Sequence, residues 1–205
     1  MVHAADTLNT SIDALCAIDP RLGEPVARLG YPAPRVRTRG YETLLRTIVG
    51  QQVSVAAAAS VWAKLEGLLG PGCPPEALLA RDFDELRGCG LSRQKQGYAR
   101  SLAELVVSGA LDLHALPDED EEAIARLVQV KGIGRWSAEI YLLFAEGRPD
   151  IWPAGDLAVQ IAVGQLMGLA ERPDEKATRA LAESWRPHRS AAALLAWHHY
   201  NGATL

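Results

Sequence analysis

Several things are scarce in this chain, and each scarcity closes off a class of protein. There are three cysteines, Cys16, Cys73 and Cys89, and they form no C-x-x-C pair and no zinc spacing. A disulfide scaffold and a zinc ribbon are excluded, and a reduced, cytoplasmic setting is expected. No stretch approaches the roughly 18–20 uninterrupted apolar residues of a membrane span, so no membrane association is expected. The segment Met1 to Thr10 lacks a basic lead followed by an apolar block, so no secretory signal is expected. Basic excess is missing too. The formal net charge is -4, which argues against an extended, non-specific nucleic-acid binder. It leaves open a protein whose donors sit in one small footprint.

What is present reads as helices. The 12 prolines fall between periodic segments or near their starts, and proline breaks helix interiors. Between them, apolar residues recur at helical spacing: Leu102, Leu105 and Val106; Ile124, Leu127 and Val128; Leu181 and Trp185; Leu194 and Trp197. No alternating run stands out as a strand. The expectation is an all-α protein of about ten short helices, with hydrophobic residues at 48% supplying a core. Ser54 and Ser92 are placed to cap helices, and Lys95 is expected to be solvated or near DNA. Arg35, Arg37 and Arg39 alternate in a loop, which is ordinarily a solvated surface and leaves phosphate contact open as the alternative.

One turn departs from the ordinary. Val130-Lys131-Gly132-Ile133-Gly134 separates two apolar helices. Two glycines let backbone approach a ligand, and the helix from Arg135 opens with unpaired N–H groups. Lys131, Arg135 and Ser137 add side-chain donors, and Ile133 would anchor the turn in the core. A bare G-x-G is equally an αα turn with glycine caps. The longer string Leu127-x-x-Val130-x-Gly132-Ile133-Gly134-x-x-Ser137-Ala138 resembles the helix-hairpin-helix element of the HhH-GPD superfamily of DNA glycosylases.

That resemblance extends along the chain. A Gly/Pro-rich loop, Pro149 to Gly155, leads into Asp156, which follows Trp136 by 20 residues. Asp156 on its own would be read as an N-cap; the resemblance makes it the catalytic carboxylate. The chemistry suits a lone anion, because cleaving a base–sugar bond leaves positive charge on C1′. Alkylated bases already carry positive charge, so no general acid is needed, unlike the two-carboxylate glycosidases. Strand-nicking relatives have a lysine where this chain has Trp136, so the resemblance implies a monofunctional hydrolase without AP-lyase activity. With no four-cysteine motif, no iron–sulfur cluster is expected. Arg135-Trp136-Ser137-Ala138 looks like the 3-methyladenine DNA glycosylase II branch, in a compact form without the N-terminal β domain found in part of it.

Further assignments follow from the resemblance. Gln51 and Gln52 lie in the segment that supplies the wedge filling the hole left by a flipped base, with Gln52 at the wedge position. Trp136 and Trp197 are candidate walls of the base pocket by stacking and cation–π attraction, Arg189 is a candidate DNA contact, and Trp62, Trp152 and Trp185 are left to packing. Backbone carbonyls of Val128, Val130 and Ile133 would hold a monovalent cation, Na+ or K+, shared with a DNA phosphate; catalysis needs no cofactor. The implied architecture is one unit over residues 1–205, as two helical lobes with DNA held across a cleft. A wedge-bearing lobe spans residues 40–115, and a hairpin and catalytic lobe spans 116–205 with 1–39. The expected partner is double-stranded DNA carrying damaged bases, bound by a monomer. Two other readings stay open: a uracil or mismatch glycosylase of the same superfamily, and a non-catalytic helix-hairpin-helix DNA-binding module.

Overall fold

The computed structural model describes residues 5–202, and among them the chain is all helical, with no strand. Twelve α-helices form, joined by short 3-10 and π turns. None is long and apolar enough to cross a membrane. Contacts divide the chain into two units: Arg37–Tyr141, and the segment up to Val36 together with the segment from Leu142 on. This division puts the hairpin in one unit with Gln51 and Gln52. From sequence, the boundary falls near residue 115 and the hairpin groups with the C-terminal helices.

The continuous unit holds α3 (Tyr41–Gly50), α4 (Val55–Leu69), α5 (Pro75–Leu79), α6 (Phe83–Gly88), α7 (Arg93–Val107), α8 (Asp120–Leu127) and α9 (Arg135–Tyr141). Helix α7 is its centre and packs against α3, α5 and α6. Leu44, Leu45, Ile48, Leu78, Leu86 and Leu102 are fully buried there. Starts are set by side chains. Ser54 Oγ accepts from Ala57 N at 3.2 Å and Ser92 Oγ from Lys95 N at 3.3 Å, as the sequence suggested. Asp82 and Glu85 form a capping box on α6, with the Asp-x-x-Glu spacing such a box requires.

The discontinuous unit joins α1 (Ala5–Ile18) and α2 (Gly23–Leu29) to α10 (Leu157–Leu166), α11 (Glu175–Leu181) and α12 (Arg189–Gly202). Helix α12 packs on α10, α1 and α2. Its run Ala191-Ala192-Ala193 is buried, and small residues there let neighbours approach closely. Trp152 and Trp185 are buried edge to face, centroids 5.4 Å apart, so their assignment to packing holds. After Tyr141, α9 passes directly into a π turn, Leu142–Glu146. The helix after Asp156 stops at Leu166, with Gly168 at φ +64 just beyond.

Candidate functional site

Asp156 lies at the end of a loop that is fastened almost residue by residue. The Ser190 hydroxyl donates to the Arg148 carbonyl at 2.6 Å and accepts from Ile151 N at 2.9 Å. Trp152 Nε1 donates to the Thr178 carbonyl at 3.1 Å, and Gln160 Nε2 to the Ala154 carbonyl at 2.9 Å. Asp150 belongs to this fastening. Its carboxylate pairs with Arg186 at 2.8 Å and with Arg189 at 2.8 Å. Such multiple support is what holds a reacting group within a fraction of an ångström of a working position.

The carboxylate itself is half-buried and held by two donors. Asp156 Oδ1 accepts from Val159 N at 3.0 Å, capping α10, and from Trp197 Nε1 at 3.1 Å. So Asp156 is an N-cap, as its position alone predicts, and is also gripped by a side chain 41 residues away. Trp197 stacks on Phe144, ring centroids 5.5 Å apart at 28°. Sequence reasoning found Asp156 and Trp197 separately but missed Phe144, whose place in the π turn brings it under the indole. A fixed anion in the positive field of a helix start, with its plane set by two hydrogen bonds, can stabilise positive charge that develops next to it.

In the other unit, the hairpin turn has the expected form. Gly132 has φ +82, and a Cβ there would fall 2.2 Å from the Tyr98 ring. Gly134 is open, with nothing within 4 Å of a Cβ position. Ile133, 4% exposed, plugs the turn into the core. Gln51 Nε2 donates to the Gly132 carbonyl at 2.8 Å, so the Gln51–Gln52 segment and the hairpin turn are tied together. Gln52 next to it is exposed, with φ +55, a left-handed conformation unusual for a side-chain-bearing residue. Trp136 stands on the first turn of α9 with 46% of its surface exposed.

Several of the candidate DNA contacts have partners within the chain. Arg135 is bound to two carboxylates, Glu121 and Glu139, with Nε–Oε1 at 2.9 Å to the buried Glu139. The Glu121 hydrogen bond first, and Glu139 with it, raise its already high pKa. Arg189 has a side chain 9% exposed and fully engaged by Asp150 and Glu183. Arg189 is thus buried in its ion pairs, whereas Arg135 stays partly exposed beside its two carboxylates. Ser137 is buried, and Gln51 spends its amide on Gly132. Lys131, Gly132, Gly134 and Gln52 remain at the surface.

The carbonyls of Val128, Val130 and Ile133 are neutral, hard oxygen donors, a set that suits a monovalent ion better than a transition metal. Val130 O accepts from Ile133 N at 3.0 Å, which holds the turn closed and leaves its second lone pair. These residues fit the group the resemblance implies.

Comparison with known proteins identifies the family. Residues 45–187 match the model of the HhH-GPD superfamily base excision DNA repair proteins, and the chain belongs to that superfamily. It is 34% identical over 161 residues to DNA-3-methyladenine glycosylase 1 of Schizosaccharomyces pombe, covering 77% of this chain and 71% of that one. The crystal structure of a DNA-3-methyladenine glycosidase from Bacillus halodurans superposes with a TM-score of 0.85 at 30% identity, covering 95% of this chain and 90% of that one. The S. pombe 3-methyladenine DNA glycosylase bound to abasic DNA superposes with a TM-score of 0.79 at 30% identity, covering 96% and 97%.

Proposed function

We propose that this chain is a monofunctional DNA glycosylase of the 3-methyladenine DNA glycosylase II type. It would release alkylated bases such as 3-methyladenine and 7-methylguanine from duplex DNA in base excision repair. The observation that carries this reading is Asp156 Oδ1, held between the α10 N-terminus and Trp197 Nε1, in a chain whose relatives are named for this activity.

The chemistry balances without a general acid. The bond from C1′ to the base nitrogen breaks, and its electron pair leaves with the cationic alkylated base, which becomes neutral. Positive charge remains on the sugar, and the Asp156 carboxylate stabilises it. Water adds at C1′ and gives up a proton with carboxylate assistance, leaving an abasic site and an intact strand. Trp197, stacked on Phe144, offers a flat electron-rich face to an electron-poor base, and the exposed Trp136 keeps the stacking role the resemblance gives it. Tryptophan at position 136 supplies no amine for a Schiff base, so no strand cleavage follows. The turn at Gly132 and Gly134 would take a DNA phosphate, with Na+ or K+ on the Val128, Val130 and Ile133 carbonyls neutralising charge there, and Gln52 would act as wedge.

The test is incubation with duplexes carrying 7-methylguanine, 3-methyladenine, uracil or a mismatch. Free alkylated base, with strand breaks only after alkali, is expected. Strand breaks without alkali would refute the monofunctional assignment. Release of uracil alone would favour the other glycosylase reading, and binding without release the non-catalytic module.

A further inference from the structure

Helix α7 carries a stripe of three residues, Lys95, Tyr98 and Ser101, of which only Lys95 has a reading from sequence, as solvated or near DNA. Lys95 is partly buried, and its Nζ donates to the Val49 carbonyl at 2.7 Å. Val49 lies in the last turn of α3, where carbonyls have no helical N–H partner and the dipole favours a cation. Among the described residues no carboxylate pairs with Lys95, and burial pushes its ammonium pKa down. One turn further on, the Tyr98 ring occupies the space that any side chain at Gly132 would need. Another turn on, Ser101 Oγ accepts from Lys131 N at 3.1 Å.

Positions 95, 98 and 101 fall on one face of a helix. That face therefore supports two turns at once: the α3 terminus that leads into Gln51 and Gln52, and the hairpin. The Gln51 bond to Gly132 closes the circuit. A half-desolvated lysine with no carboxylate is a costly way to fill such a position, and an apolar residue would pack there without that cost. What it adds is a grip on one carbonyl two residues before Gln51.

We propose that Lys95 is a positioning residue for base flipping: through the Val49 carbonyl it fixes the α3 terminus, and with it the Gln51–Gln52 turn, in register with the hairpin. This rests on the glycosylase reading above. Flipping costs a few kcal/mol of stacking and pairing, and a wedge on a yielding base would recover less of it. Lys95→Met keeps the apolar stem and removes the donor; Lys95→Arg keeps a donor.

The experiment compares single-turnover release of 7-methylguanine from two duplexes. In one the lesion is paired with cytosine; in the other it faces an abasic site, where pairing is already lost and the wedge has no partner base to meet. The quantity read is the ratio of the two rates within each variant, which does not depend on the folded fraction. The ratio should fall about tenfold in Lys95→Met, the worth of one hydrogen bond to a charged group, and return to within about twofold of wild type in Lys95→Arg. An unchanged ratio in Lys95→Met overturns the proposal, as does an arginine variant that behaves like methionine. Wild-type protein that releases no 7-methylguanine from either duplex would instead overturn the glycosylase reading.

Discussion

Asp156→Asn separates the two jobs that this residue holds in the structure. Asparagine caps helices as well as aspartate, and its amide oxygen can still accept from Val159 N and Trp197 Nε1, now 3.0 and 3.1 Å away. The geometry survives and the charge does not. The loss of a carboxylate at the α10 start costs about 0.3–1 kcal/mol, a fall in Tm of at most about 4 °C for a chain of this size. The chemical step should suffer far more. An electrostatic group aimed at developing charge is worth about 2.7–4 kcal/mol, or a hundred- to a thousandfold in rate. Asp156→Ala provides the contrast, since it removes the cap as well and costs about 0.5–2 kcal/mol of stability. Single-turnover release of 7-methylguanine, with Tm measured on the same samples, reads both jobs. If Asp156 were a cap alone, the asparagine variant would keep its rate and alanine would lose rate only as it loses fold. An asparagine variant within about tenfold of wild type would refute the charge argument.

Three further outcomes are expected. Trp197→Phe keeps a ring to stack on Phe144 but removes the Nε1 donor to Asp156. It should slow base release about tenfold in the wild-type background and much less in Asp156→Asn, a non-additivity that a double-mutant cycle measures. Gly132→Ala combines φ +82 with a Cβ 2.2 Å from the Tyr98 ring. It should cost about 2–4 kcal/mol and weaken DNA binding in a fluorescence-anisotropy titration. His199 has its pKa lowered, first by burial, so the unfolded chain holds the extra proton as pH falls through the ordinary histidine range. Its contribution to stability is therefore intact at neutral pH and lost below about pH 6.5. The fall in Tm between pH 7.5 and 5.5 should be smaller in His199→Gln, and an unchanged fall would exclude this residue as a cause.

How much of the site was legible depended on how local each signal is. The hairpin could be read because its glycines, Ile133 and the flanking helices lie within a few residues of one another. Asp156 could be read because its loop sits at a fixed distance from the hairpin. The arginines could not be placed from charge alone. Arg189 finds Asp150, 39 residues away in sequence, and no local pattern announces that pairing. Arg135 did carry a local signal, since Glu139 stands four residues on and on the same helix face. Lys95, Tyr98 and Ser101 formed a visible i, i+3, i+6 stripe, but its meaning lay in the turns it supports, which only the fold brings to α7. The division into units was also out of reach. Nothing in the hairpin's own sequence says that Gln51 will bond to Gly132.

The order in which the two units can be completed on the ribosome follows from their connectivity. Helices α1 and α2 precede the block Arg37–Tyr141 in the chain, yet their partners follow it. Arg28 bonds to His199 at 3.2 Å and to the Gly202 carbonyl at 3.3 Å, and His198 meets the Gly30 carbonyl at 3.1 Å. The block Arg37–Tyr141, with Gln51, Gln52 and the hairpin, is contiguous and can fold as it emerges. The carboxylate must wait for α12, because Trp197 and Ser190 both come from it. Nascent chains stalled short of α12 would therefore carry the hairpin turn while Asp156 lacks its bond from Trp197 and the loop before it lacks Ser190.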